Sequence, residues 1–225
     1  MQDFYIKNFI TFVYYILSIA AGYLSGSVLY GYIFPKIIKG VNVFEVSPDG
    51  NAGTTNAFKY GGFWCGVLAL AGDLLKGFIP VLVASKFIRP DDYLFVPILL
   101  APVFGHAFPA FFKKKGGKCI AVSFGALFAT PAHIGAGAAL AVAYVFFSTV
   151  VVFDPHSLRT VVTYAVWSVF CIIFFPAAAI KLTCFALSLL IFIRHYKSLK
   201  AEKEEFGVHV LFFKKRSENE AEKRV

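Results

Sequence analysis

Charge is what this 225-residue chain has least of: 16% of its residues are charged and 58% are apolar, where soluble domains carry about 25% and roughly 45–50%. That balance excludes a soluble globular enzyme. Cysteine is scarce too, and Cys65, Cys119, Cys171 and Cys184 lie in or beside apolar runs without CxxC spacing. Neither a zinc site nor a disulfide framework is indicated, and the four read as small packing residues. The formal charge of +9 does not point to nucleic acid, because the cations sit in short clusters beside apolar spans, as a cytoplasmic positive bias requires.

What the chain does have is a series of apolar runs, several of them near the length of about 20 residues that crosses a bilayer. They predict an all-α integral membrane protein of about seven transmembrane helices, over residues 8–34, 61–84, 93–112, 119–130, 132–153, 158–179 and 181–196. Seven such spans leave room for loops and a tail only, so the expected division is a membrane domain over 1–198 and a charged, solvated tail over 199–225. The first run is too long for the apolar core of a signal peptide and carries a polar stripe, so it reads as a retained helix. The fourth and seventh runs are short, which suits half-helices or helices tucked against the bundle. With the N-terminus outside, 17 Lys and Arg fall on one side and 4 on the other, with Lys76 inside a span. The positive side is the cytoplasmic one. Segments 40–60, 113–118 and 154–158 and the stretch after Arg194 all fall on that side, where they can form one composite site.

Several polar groups in these runs do not belong in hydrocarbon. Asp73 and Lys76 share a helical face three residues apart, and charges at bilayer depth cost on the order of 2.5–3.5 kcal/mol each on insertion scales. They are either a buried ion pair that fixes packing or the floor of a polar site. The segment Asn51-Ala-Gly53-Thr54-Thr55-Asn56 suits a backbone nest for an anion, and equally an Asx-rich turn. The strongest local signal is GHAFPAFFKKKGGK, from His106 through Gly116 and Gly117 to Lys118. A glycine pair between lysines lets backbone wrap an oxyanion while ammonium groups neutralise it. It is not a Walker A loop, which would need Gly at 112 and Ser or Thr at 119 where this chain has Phe112 and Cys119. Ser27, in the small-residue stretch GYLSGSVLYGY, sits near these loops. Arg194 and His195 close the last apolar run and read, unaided, as helix-capping residues.

Taken in order, GSVLYGY, GNAGTTN, the Asp73–Gly77 stretch, GHAFPAFFKKKGGK and Arg194-His195 resemble the acyl-phosphate glycerol 3-phosphate acyltransferases of the PlsY type, from about Gly22 to Lys200. The resemblance implies seven transmembrane helices and transfer of an acyl chain from acyl phosphate to the 1-hydroxyl of glycerol 3-phosphate. The product would be lysophosphatidic acid for phospholipid synthesis, made at a cytoplasm-facing site in a bacterial plasma membrane. No cofactor, metal or nucleic acid is expected; the partners would be the two substrates and membrane lipid. Carried over residue by residue, the catalytic positions would be Ser27, Lys118 and His195. Asn51, Gly53, Thr55, Asn56, Asp73, Lys76, His106, Gly116, Gly117 and Ser157 would bind substrate.

The chain departs from that pattern at several places. Where such proteins usually have arginine it has Phe44, where they have proline it has Leu29, and where they have glycine it has Cys119. It has Pro48-Asp49-Gly50-Asn51 in place of Ser-Gly-Asn, and Ser198 in place of an asparagine. Loss of the arginine removes a bidentate phosphate ligand, which another cation, Lys39 or Lys59 among them, would have to replace. A catalytically silent or re-targeted paralogue therefore stays open, as does a small permease for phosphorylated lipid precursors, although no internal repeat supports the latter. Other acyl-transfer machinery is missing: there is no GxSxG elbow, and no histidine is followed by aspartate five positions later.

Overall fold

The structure, a computed structural model, describes residues 2–112 and 115–210. Lys113, Lys114 and the tail from 211 onward lie outside the described residues. The remainder is helical apart from one small sheet. The long helices are α1 (Gln2–Gly26), α5 (Phe63–Ala84), α8 (Pro131–Thr149), α9 (His156–Phe174) and α10 (Ala178–Ala201), and the shorter ones are α2 (Tyr30–Lys39), α3 (Val43–Val46), α4 (Thr54–Gly61), α6 (Phe95–Ala107) and α7 (Ile120–Phe128). Five described helices are long and apolar enough to cross a membrane.

The boundaries correct several expectations. The first run is not one span over 8–34: α1 stops at Gly26, and α2 starts after a break at 27–29. At the break the Ser27 hydroxyl donates to Tyr23 O at 2.8 Å and accepts the Ala110 N–H at 3.1 Å, so side chain replaces helix continuation. The third run shortens to the 13 residues of α6 and the fourth to the 9 of α7. The last run, expected to be short, is the 24-residue α10 and passes through the expected 198/199 boundary. Residues 151–153 do not belong to the fifth span. They open the strand β1 (Val151–Asp154), which pairs antiparallel with β2 (Gly207–Val210), Asp154 opposite Gly207 and Val151 opposite Val210. A Val-Val-Phe run suits strand as well as membrane helix, and only its partners 55 to 59 positions later decide.

Close helix packing rests on small residues, as expected where apolar attraction between helices is weak. Gly22 and Gly26 of α1 lie against Ala101 and Pro102 of α6, and Gly105 of α6 lies against the backbone at Tyr23 and Ser27. Gly125 of α7 meets Leu74 O, and Gly77 of α5 meets Val122 and Ala126. These contacts bring α6 and α7 into the interior. At about 1.5 Å per residue neither is long enough for a hydrocarbon core of about 30 Å, and most of their residues are buried by protein.

Candidate active site

A cavity of about 480 Å³ opens at one end of the bundle. Its wall combines the turn at Asp49, Asn51 and Gly53, the start of α4, the middle of α5, His106, the segment Lys118–Ala121, Tyr144, the start of α9 and Glu202 at the end of α10. Elements far apart in sequence thus share one chamber.

The floor is a buried charge cluster. Lys76 and Asp73, both under 5% exposed, form an ion pair at 2.7 Å. The Lys76 ammonium also donates to Val28 O at 2.6 Å and approaches His106 Nδ1 at 2.6 Å. An ammonium donates and cannot accept. His106 Nδ1 is therefore the acceptor, which leaves the proton of the neutral ring on Nε2. Thr54 donates from α4 to the other Asp73 oxygen at 3.4 Å. Asp73 and His106 face the cavity while Lys76 stands behind them.

Above this floor runs the glycine loop. The Gly117 N–H donates to His106 O at 2.9 Å, and the loop lies so near that a Cβ on Gly116 would strike Ala107 O and one on Gly117 the His106 ring. Arg194 holds the loop from the far side, donating from Nη2 to Gly116 O at 2.6 Å and from Nε to Gly117 O at 3.0 Å, with its guanidinium over the Phe108 ring. The capping reading of Arg194 is thereby corrected: α10 runs on to Ala201, and this side chain is a two-pronged clamp. Arg194→Lys keeps the charge but not the fork, with an expected stability loss of about 1.5–3 kcal/mol, measured as a lower unfolding midpoint in detergent.

Lys118 follows the clamp, and its ammonium meets Asp49 at 2.9 Å across the cavity. Asn56 Nδ2 bridges Asp49 Oδ1 at 2.9 Å and Asn51 O at 2.7 Å. Partial burial raises the Asp49 carboxyl, but the hydrogen bond and charge of Lys118, with Asn56 and the Asn51 N–H, outweigh it and hold the group below its ordinary value. On the opposite wall the buried Ser157 hydroxyl donates to Glu202.

Of the residues expected at the site, Asn51, Gly53, Thr55, Asn56, Asp73, His106, Lys118 and Ser157 line the cavity. Lys76, Gly116 and Gly117 support it from behind. Ser27 and His195 do not line it: Ser27 ties the α1 break to the turn after α6, and His195 is fully buried with Nδ1 near Ile191 O at 2.9 Å. Thr54, part of the expected nest, lines it too, and Asp49, Tyr144, His156 and Glu202 do so without having been assigned a place in the site. Asp49 had a signal, a carboxylate inside the Asn-Gly turn; Tyr144 and Glu202 had none. Among the described residues no group of three or more His, Cys, Asp or Glu could hold a metal.

The chain matches the glycerol-3-phosphate acyltransferase family over residues 16–203. It belongs to that family. A glycerol-3-phosphate acyltransferase of Endomicrobium trichonymphae is 36% identical over 204 residues, covering 89% of this chain and 98% of the relative. That of Wolbachia pipientis subsp. Culex pipiens is 36% identical over 178 residues, 79% and 88% of the two chains. The match to the protein of Thermotoga petrophila is 43% identical over 107 residues, about half of either chain. Two crystal structures of PlsY (YgiH), an integral membrane glycerol 3-phosphate acyltransferase, superpose with TM-scores of 0.72. The glycerol 3-phosphate form is 29% identical and covers 83% of this chain and 90% of its own; the lysophosphatidic acid form is 26% identical and covers 88% and 96%.

Two departures from the acyltransferase pattern acquire a physical description. Phe44 stacks on Tyr32 at 4.9 Å and carries the Lys115 ammonium over its ring at 4.8 Å. The cation–π contact sets an exposed cation beside the position where the resemblance expects arginine, from a residue other than Lys39 or Lys59, and neither Phe44 nor Lys115 lines the cavity. Cys119, where a glycine is expected, has φ +67°. That left-handed backbone favours glycine, and the cysteine adopts it with Sγ 3.6 Å from Val103 O and Gly117 O.

Proposed function

We propose that this protein transfers a fatty acyl group from acyl phosphate to the 1-hydroxyl of glycerol 3-phosphate, releasing lysophosphatidic acid and phosphate in phospholipid synthesis. The observation that carries the reading is the junction of two environments. The polar cavity with Lys118 and the Asn51–Asn56 turn shares Leu74 and Phe124 with an apolar groove of about 260 Å³ lined by Leu74, Leu75, Phe78, Phe124, Gly125 and Phe128. Phosphates belong in the first and an acyl tail in the second.

An acyl phosphate is a mixed anhydride, so the glycerol hydroxyl attacks its carbonyl carbon directly, the carbonyl–phosphate C–O bond breaks, and the departing phosphate takes the hydroxyl proton. No acyl-enzyme is needed. The protein's task is to hold two phosphorylated molecules in line, which lowers the barrier by about 7–11 kcal/mol in well-oriented systems. Lys118 would neutralise phosphate charge. Backbone donors of the Asn51–Asn56 turn, with Thr55 and Ser157, would fix the substrates. The glycine loop, His106 and the Asp73–Lys76 pair would keep Lys118 in place, and Ser27 and His195 would act through packing.

The same reading makes the bundle a seven-segment protein of the bacterial plasma membrane, N-terminus outside and cavity toward the cytoplasm, in which the short, protein-buried α6 and α7 reach across only together with the chain that flanks them. The 17-to-4 distribution of Lys and Arg supports the orientation.

Purified protein, palmitoyl phosphate and glycerol 3-phosphate are expected to release phosphate only when the acceptor is present; a protein that releases none is a silent relative. Lys118→Ala is expected to cut kcat/KM on the order of 10²–10³-fold, as for loss of one preorganised charge-stabilising donor, with little change in unfolding midpoint. Near wild-type turnover in that variant would remove Lys118 from the reaction.

A further inference from the structure

The cavity holds an unexpected excess of negative charge. Asp49, Asp73 and Glu202 all line it, against Lys118 on the wall and Lys76 behind. Two groups suited to a phosphate are already engaged by carboxylates, Lys118 by Asp49 and Ser157 by Glu202. Asp49 belongs to the turn before α4, where Asn56 also holds it. Glu202 is held differently. It lies just past the end of α10, its N–H donating to Ser198 O at 2.9 Å, and the chain beyond it runs through a single 3₁₀ turn (Lys203–Glu205) into β2. β2 is fastened to β1, and β1 leads through Asp154 and Pro155 into α9, whose second residue is Ser157. Strap and target are thus tied together: pairing of β2 with β1 sets Glu202 over Ser157.

We propose that Glu202 is a placeholder carboxylate that sets the affinity of the site for its phosphorylated acceptor, occupying Ser157 until a phosphate displaces it. The inference rests on the reading of this cavity as the glycerol 3-phosphate site. A carboxylate and a phosphate oxygen compete for the same hydroxyl proton, and both cannot be close in a partly dry chamber without strong repulsion. Glu202 is only partly buried, so it swings into water when displaced, and that release opposes binding. The alternative role, a carboxylate that orients Ser157 toward substrate, predicts the opposite sign.

The deciding measurement is equilibrium binding of glycerol 3-phosphate to the full chain in detergent, by calorimetry, without acyl donor. Glu202→Gln removes the charge and keeps the shape, and is expected to lower Kd on the order of tenfold, the scale of one charge-assisted hydrogen bond. In a Ser157→Ala background the same change is expected to give little gain, since the group it competes for is gone. An unchanged or higher Kd in Glu202→Gln, or an equal gain with and without Ser157, overturns the proposal. If Glu202→Gln does not survive extraction, Val208→Pro in the full chain loosens the strap at its strand pairing and is expected to lower Kd in the same direction; no decrease overturns the proposal. Binding without acyl transfer would sink the proposed reaction alone, and absence of binding in both wild type and variant would sink both.

Discussion

Lys76→Met is expected to destabilise the protein by about 3–5 kcal/mol, the range found when one partner of a buried ion pair is removed. The methionine fits the space but leaves Asp73 charged, 2% exposed and facing Thr54 alone among its hydrogen-bond donors. It also strips Val28 O of its 2.6 Å donor at the break between α1 and α2, and His106 Nδ1 of its own. One side chain therefore joins α5 to the α1–α2 break and to the end of α6. At about 2–4 °C per kcal/mol for a chain of this size, the unfolding midpoint in detergent is expected to fall by roughly 6–20 °C. Adding Asp73→Leu removes the orphaned charge and is expected to recover much of the loss, because apolar replacement of both partners is often neutral. A midpoint within a degree of wild type for Lys76→Met alone would mean that Asp73 carries no charge in the native state.

Gly117→Ala is expected to cut acyl transfer by at least about a hundredfold, the effect that a misplacement of about 1 Å at a reacting centre produces. The added methyl would meet the His106 ring at Nε2, Cε1 and Cδ2. The ring has little freedom to yield, since it is 3% exposed and its Nδ1 faces the Lys76 ammonium. The glycine has little more, since its N–H is bonded to His106 O and its carbonyl to Arg194. The strain passes to the next residue, Lys118, whose reach across the cavity is the proposed catalytic contribution. Initial rates with palmitoyl phosphate at saturating glycerol 3-phosphate check this; a rate close to wild type would show that the loop yields without moving Lys118.

What could be read in the chain was read mostly from mismatch with hydrocarbon. Asp73 and Lys76 stood out because charge has no place in a plain span, and Gly116–Gly117–Lys118 because paired glycines between lysines suit an oxyanion; the structure puts Asp73 and Lys118 on the wall of one cavity, with Lys76 and the two glycines behind it. Arg194 was misjudged for a physical reason. A basic residue closing an apolar run looks the same whether it caps a helix or reaches across to another segment's carbonyls, and the target lies 77 positions away. Glu202 was hidden in a charged stretch with the composition of a solvated tail. Its role depends on β2, a four-residue strand that has no meaning without β1.

By itself the sequence determined that this is a helical membrane protein. That follows from a local quantity, the length of its apolar runs; the Lys and Arg counts carry the proposed orientation. It also supplied the glycines that let α1 approach α6 and α5 approach α7, since a missing side chain is a property of one position. Tertiary structure alone decided which polar side chains face the cavity and which hold it up. Ser27 and His195 have the chemistry of a site yet lie outside its wall, while Asp49 and Glu202 complete it. The reason is the scarcity of charge with which the chain begins. In a low-dielectric bundle a buried polar group is costly without a partner, and Lys76, Arg194 and Ser157 reach partners outside their own helices that lie 30, 77 and 45 positions away, separations that only the packed helices bring together.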